Sequence, residues 1–213
     1  MEWLASFTDL VLHLDKHLVF FVQQYGDWVY ALLFAIIFTE TGVVVAPFLP
    51  GDSLLFVAGA LCVTEGMSLP LLMVLLVAAA ILGDAVNYSV GRWFGVALMT
   101  RTRLISPEKI KYTQDFFEKH GPKTIVIARF LPIVRTMAPF VAGFSGMQAK
   151  RFLTYNVSGG LLWVVSLTLA GYLFGNIPFI KNNLTAVILV IIFVSILPGV
   201  IAVLRARAAA RQS

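Results

Sequence analysis

Residues 128–146 read ARFLPIVRTMAPFVAGFSG, and this stretch decides how the chain folds. It is apolar enough for a lipid bilayer, yet it contains Arg129 and Arg135. A charge at the bilayer centre costs at least about 2.5 kcal/mol. Pro132 and Pro139 are expected to break the helix, and irregular backbone is tolerated at membrane depth only inside protein or beside a water-filled cavity. The stretch therefore predicts a broken helix next to a polar cavity.

The composition indicates an all-α integral membrane protein. Hydrophobic residues make up 59% of the chain and charged residues 13%, against roughly 45–50% and about 25% in soluble domains. The net charge of +5 is concentrated in residues 101–123 and the C-terminus, which favours a role in membrane topology over nucleic-acid binding. Cys62 is the single cysteine, so there is no disulfide framework. We expect no cofactor and no metal, because His13 and His17 lack further ligands at metal-site spacing.

The first half of the chain contains one interrupted apolar segment and one continuous one. Residues 1–28 predict an amphipathic helix at the membrane interface. Residues 29–63 are too long for one span and too short for two, and the run from Pro47 to Asp52 interrupts them. They predict a re-entrant hairpin, in which two helices enter and leave through the same membrane face. Residues 69–93 predict a transmembrane helix, followed by a basic cytoplasmic loop over 94–123.

The distribution of basic residues predicts the membrane topology of the second half of the chain. Residues 152–174 and 184–204 predict two more transmembrane helices, and residues 205–213 form a basic tail. If residues 124–147 crossed the membrane, Lys150, Arg151 and the tail would all lie outside, against the positive-inside rule. We therefore predict a second re-entrant hairpin at 124–147, entered from the cytoplasm. Two oppositely oriented hairpins plus about three transmembrane helices are typical of an inverted-repeat transporter.

Further candidate residues follow from polar side chains in apolar segments. Glu40 lies within an apolar helix and is a functional candidate. Asp52 is either a helix cap or a functional acid. Another set recurs on one face of the 69–93 helix, where it either packs helices together or lines a cavity: Asp84, Asn87, Tyr88 and Arg92.

These motifs together resemble the DedA family. The resemblance rests on Glu40-Thr41-Gly42, on the PFLPGD run from Pro47 to Asp52, on GDxxNYxxGR from Gly83 to Arg92 and on ARFLPxxR from Ala128 to Arg135. It covers nearly the whole chain. It implies a multi-pass protein of the bacterial inner membrane that transports undecaprenyl phosphate and depends on protons. The functional acids of the family match Glu40 and Asp52, and its arginines match Arg129 and Arg135.

The leading interpretation is a flippase whose hairpins meet at the membrane midplane, with a cytoplasmic C-terminus. Arg129 and Arg135 would bind the phosphate of a polyprenyl phosphate or phospholipid, because guanidinium groups suit bidentate phosphate binding. Glu40 and Asp52 would carry protons. One alternative is a small proton or cation antiporter, and another is an ion-pair network with a purely structural role. A lipid phosphatase is disfavoured, because it needs a nucleophile beside a base. Only Thr136 and Ser145 lie near the arginines as nucleophiles, and no apolar segment contains a histidine.

Overall fold

Helices connected by short turns make up the described part of the chain. The computed structural model describes residues 14–43, 51–101, 107–175 and 177–181, with a few residues between 186 and 193. The all-α prediction is confirmed for these residues, since no strand lies among them. We number the helices as follows: α1 Leu14–Tyr25, α2 Trp28–Gly42, α3 Gly51–Thr64, α4 Leu69–Arg101, α5 Pro107–His120, α6 Thr124–Ala128, α7 Pro132–Phe144, α8 Ala149–Phe174 and α9 Pro178–Lys181.

Among the described residues, two helices are long and apolar enough to cross a membrane. These are Leu69–Phe94 within α4 and Ala149–Phe174, each of 26 residues. At 1.5 Å per residue, such a helix measures about 39 Å, which exceeds the ~30 Å hydrocarbon core. Large apolar side chains are exposed along both, including Val74 (67%) and Leu162 (53%). Contiguous apolar exposure of this kind is typical of a surface that faces lipid.

The helix bounds differ from the predicted segments in places. Helix α4 continues to Arg101, so the segment predicted as a cytoplasmic loop from residue 94 starts as helix. The link between the predicted spans 152–174 and 184–204 contains the short helix α9. Residues 44–50, which include most of the predicted hairpin break, lie outside the described residues. So do residues 1–13, most of the predicted span 184–204, and the tail 205–213.

Residues 128–146 contain one helix break rather than two. Helix α6 ends at Ala128, residues 129–131 form a turn, and α7 begins at Pro132. Proline is well tolerated there, because the first turn of a helix needs no N–H donors. The prediction that Pro139 also breaks the helix is wrong, since α7 continues through it to Phe144. Pro139 has no N–H to donate to the carbonyl of Arg135, but the helix survives the loss of one bond.

Two pairs of helices pack closely along each other. Helix α3 packs along α8, and α7 packs along α4. Glycines allow the close approach: a Cβ at Gly59 would overlap the Thr168 carbonyl, and one at Gly143 would overlap the Tyr88 carbonyl. Fully buried apolar side chains from α2, α3 and α4, such as Leu33, fill the space around these pairs. This packing brings the end of α2 and the starts of α3 and α7 together.

Candidate functional site

Three helices, α2, α3 and α7, bring charged residues together at one site. Glu40 lies two residues before the end of α2, Asp52 is the second residue of α3, and Arg135 lies in the first turn of α7. These residues are far apart in sequence. They meet because the end of α2 and the starts of α3 and α7 lie next to one another. The structure thus brings together three of the four principal residues that the sequence predicted.

Arg135 holds both acids at once. Its Nη1 donates to Asp52 Oδ1 at 2.9 Å, and its Nη2 donates to Glu40 Oε1. The Glu40 side chain is fully buried, whereas the Asp52 side chain remains 17% exposed. Asp52 is therefore the more accessible partner. Gly51 makes room for the arrangement, because a Cβ at this position would overlap the Glu40 carboxylate.

Arg129 belongs to a second cluster. Its Nη2 donates to Asp84 Oδ2 at 2.5 Å and to Asn156 Oδ1 at 2.6 Å. Asn156 in turn donates from Nδ2 to the Ile81 carbonyl at 3.0 Å, which fixes its orientation. The sequence predicted that Arg129 and Arg135 act together opposite Glu40 and Asp52. The structure instead gives Arg129 its own carboxylate on α4.

Trp163 joins the two clusters. Its Nε1 donates to Asp52 Oδ1 at 2.8 Å. Its ring centroid lies 5.0 Å from Arg135 Cζ and 5.7 Å from Arg129 Cζ, within cation–π range for both. Both guanidinium groups therefore border one aromatic ring. The joined cluster contains three carboxylates and two guanidinium groups.

Several polar atoms of the two arginines remain unsatisfied. Nε and Nη1 of Arg129 and Nε of Arg135 are buried and have no hydrogen-bond partner within the described part of the chain. A buried donor without a partner costs about 1–3 kcal/mol, and more when charged. These N–H groups are therefore suited to an acceptor such as water or an anionic ligand.

The other predicted lining residues serve different parts of the structure. Asn87 is fully buried and donates from Nδ2 to the carbonyls of Thr41 (3.3 Å) and Thr136 (3.0 Å), so it ties α2 to α7 beside the cluster. The Tyr88 hydroxyl donates to the Met147 carbonyl, and the exposed Arg92 donates to the same carbonyl at 3.2 Å. Tyr88 and Arg92 therefore secure the turn between α7 and α8 and do not contact the acids.

Two residues of the cluster were missed in the sequence. Asn156 and Trp163 lie on one face of α8 together with Gly159 and Gly160, at spacings i, i+3, i+4 and i+7. The Asp84 face of α4 has the same spacing. An asparagine in an apolar span, and a tryptophan away from the membrane interface where this residue is enriched, were the available signals.

Comparison with known proteins supplies the family. Residues 49–173 match the family described as VTT domain. The chain is 53% identical to the protein DedA of Escherichia coli over 218 aligned positions, covering 100% of both chains. The chain belongs to the VTT-domain, or DedA, family. The resemblance stated from the motifs is thereby confirmed. No solved structure matches.

Other DedA-family relatives carry membrane names. The chain is 44% identical to the inner membrane protein YqjA of Escherichia coli over 158 residues, which is 71% of this chain and 70% of the relative. It is 41% identical to an uncharacterized membrane protein of Mycobacterium leprae over 189 residues, covering 86% and 85% of the two chains. The prediction of a membrane protein agrees with these names and with the two long apolar helices.

Proposed function

We propose that this DedA-family chain is a flippase that moves undecaprenyl phosphate across the bacterial inner membrane. Arg135 carries the proposal. It is a buried guanidinium at the meeting point of three interrupted helices, held between Glu40 and Asp52. A guanidinium binds phosphate in a bidentate manner. The two carboxylates hold it while the site is empty, and one of them is displaced when the phosphate arrives.

Arg129 supports the same proposal from the second cluster. Its Nε and Nη1 remain free while Nη2 holds Asp84 and Asn156. It can therefore bind a phosphate oxygen without releasing its own partners. A phosphate monoester carries about −1.5 to −2 charges at pH 7, so its oxygens can accept hydrogen bonds from both guanidinium groups beside the Trp163 ring.

The proposed architecture consists of two re-entrant hairpins of opposite orientation. Helices α2 and α3 have 15 and 14 residues, so each measures about 21–23 Å and is too short to cross the ~30 Å core. Helix α7, with 13 residues, is shorter still. We propose that α2 with α3, and α6 with α7, dip into the membrane and place their tips at Arg135 near the midplane.

Repeated packing supports an inverted repeat. In α3 and in α7, a Phe-x-x-Gly segment packs against the backbone of the partner span. The segment of the partner span also ends in a glycine, three residues after the residue that it places in contact. The same contact is thus formed twice in the fold. The corresponding residues are Phe56 and Gly59 on α3 against Thr168 and Gly171 on α8, and Phe140 and Gly143 on α7 against Tyr88 and Gly91 on α4.

We further propose proton coupling through Glu40 and Asp52. When all groups are ionised, the three carboxylates exceed the two guanidinium groups by one negative charge. A buried site is more stable near neutrality, so a change in phosphate occupancy is expected to accompany proton uptake or release. The same excess of acid favours the alternative, a proton or cation antiporter, in which no lipid moves.

Reconstitution in liposomes tests the proposal and its alternative. The purified chain should transport labelled undecaprenyl phosphate, faster with a pH gradient than without one. Arg135→Lys should lose most of this transport, because lysine keeps the charge but lacks the planar fork. Arg151→Lys, at an exposed position in the first turn of α8, is the matched control. Cation-dependent proton movement without lipid transport would support the antiporter instead.

A further inference from the structure

Trp163 occupies an unusual position for a tryptophan in a transmembrane helix. It lies in the middle of α8, with its side chain fully buried, whereas tryptophan is enriched where a span meets water. Phenylalanine or leucine would satisfy packing alone without introducing a polar N–H. The indole N–H is a donor that has no acceptor function, so its role depends on the acceptor it faces.

The acceptor of the indole is shared. Asp52 Oδ1 accepts from Trp163 Nε1 at 2.8 Å and from Arg135 Nη1 at 2.9 Å. Two donors from different helices therefore converge on one anionic oxygen. Of the three acids in the cluster, Asp52 has the most exposed side chain, 17% against 0% for Glu40 and 5% for Asp84. It is thus the acid that an incoming anion displaces most readily.

We propose that the indole N–H of Trp163 is a phosphate-binding group, which passes from Asp52 to a phosphate oxygen when the lipid binds. This inference rests on the proposed function and adds a residue to its site. The oxygen position between Trp163 and Arg135 is already organised for an anion, so the phosphate inherits both donors. The aromatic ring meanwhile keeps both guanidinium groups in place through cation–π contacts.

Fluorescence of Trp163 reports binding directly. The chain has four tryptophans, and Trp28 (72% exposed) and Trp93 (74% exposed) lie away from the cluster. A variant with Trp3, Trp28 and Trp93 replaced by phenylalanine leaves Trp163 as the single emitter. In detergent micelles, farnesyl phosphate should change its emission, whereas farnesol, with the same chain and no phosphate, should not.

The affinity of a Trp163 variant for farnesyl phosphate distinguishes hydrogen bonding by the indole N–H from packing by the ring. Trp163→Phe keeps an aromatic ring beside the arginines but removes the donor. Farnesyl phosphate should bind this variant at least about tenfold more weakly, as expected for one charge-assisted hydrogen bond, while any farnesol affinity stays unchanged. Trp28→Phe is the matched control and should bind both compounds as the unmodified chain does.

The outcomes distinguish this inference from the proposed function. If Trp163→Phe binds farnesyl phosphate normally while Arg135→Lys does not, the inference fails and the proposed function stands. If Trp163→Phe weakens the binding of farnesyl phosphate and of farnesol equally, or only lowers the melting temperature, the indole acts through packing and the inference again fails. If the unmodified chain binds no farnesyl phosphate, both fail.

Discussion

At the scale of single residues, Gly51 determines where the Glu40 carboxylate lies. Gly51→Ala adds a Cβ that overlaps this carboxylate. Because the overlapped atoms are at the end of a flexible side chain, the protein should fold, but Glu40 should move away from Arg135. We expect transport in liposomes to fall without the loss of any charged group.

A double-mutant cycle checks the cause. Contacting residues typically show coupling energies of about 0.5–3 kcal/mol. Gly51→Ala should therefore lower transport in liposomes when Glu40 is intact and have little further effect on transport in the Glu40→Ala background. Equal effects in both backgrounds would show that Gly51 acts through the backbone of α3 rather than through Glu40.

The two clusters predict different responses to loss of an acid. Glu40→Gln leaves Arg135 with Asp52 at 2.9 Å, so the variant should stay folded while its transport loses pH dependence. Asp84→Asn leaves Arg129 without a carboxylate partner, and breaking a buried pair in this way costs about 3–5 kcal/mol. Melting temperatures in detergent should therefore fall more for Asp84→Asn. The reverse order would contradict the assignment of partners.

The sequence predicted the types of the charged residues at the site better than their pairing. Glu40, Asp52, Arg129 and Arg135 stand out, because charges in apolar segments are rare. Which arginine meets which acid depends on how the helices cross, and no local pattern encodes that. The sequence therefore could not show that Arg129 pairs with Asp84.

At the scale of helices, the repeated glycine contacts predict equivalent mutational effects. Gly59→Ala and Gly143→Ala each place a Cβ against a backbone carbonyl of the neighbouring span. Backbone cannot rotate away as a side chain can, so the helices must separate, and overpacking typically costs about 1–3 kcal/mol. Both variants should lower the melting temperature by similar amounts, while the exposed control Val74→Ala should not.

Unequal effects would contradict the inverted repeat. If Gly59→Ala unfolds the chain and Gly143→Ala is neutral, the two contacts are not equivalent.

The sequence could not predict these contacts, because a glycine in an apolar helix indicates close approach without identifying the partner helix. The helix bounds were easier to predict, since proline marks them locally, as at Pro132. The prediction of a helix break at Pro139 was wrong because one missing hydrogen bond does not end a helix.

At the scale of the whole molecule, the hairpin scheme predicts which loops face the cytoplasm. Single cysteines at Lys111 and Lys150, both exposed, should resist an impermeant thiol reagent in intact cells. A cysteine at Ser68, in the exposed link between α3 and α4, should react. The native Cys62 is buried and contributes little background. External labelling at Lys150 but not at Lys111 would mean that α6 and α7 cross the membrane.

The central claim is that a lipid phosphate binds Arg135 where the two hairpins meet. Solid-state NMR can detect proximity between the 31P nucleus of bound undecaprenyl phosphate and 15N-labelled arginine in phosphate-free detergent. We predict 15N–31P dephasing in the unmodified chain and in Arg151→Lys, and a clear reduction in Arg135→Lys. Dephasing that is absent from the unmodified chain, or that persists unchanged in Arg135→Lys, would contradict the account.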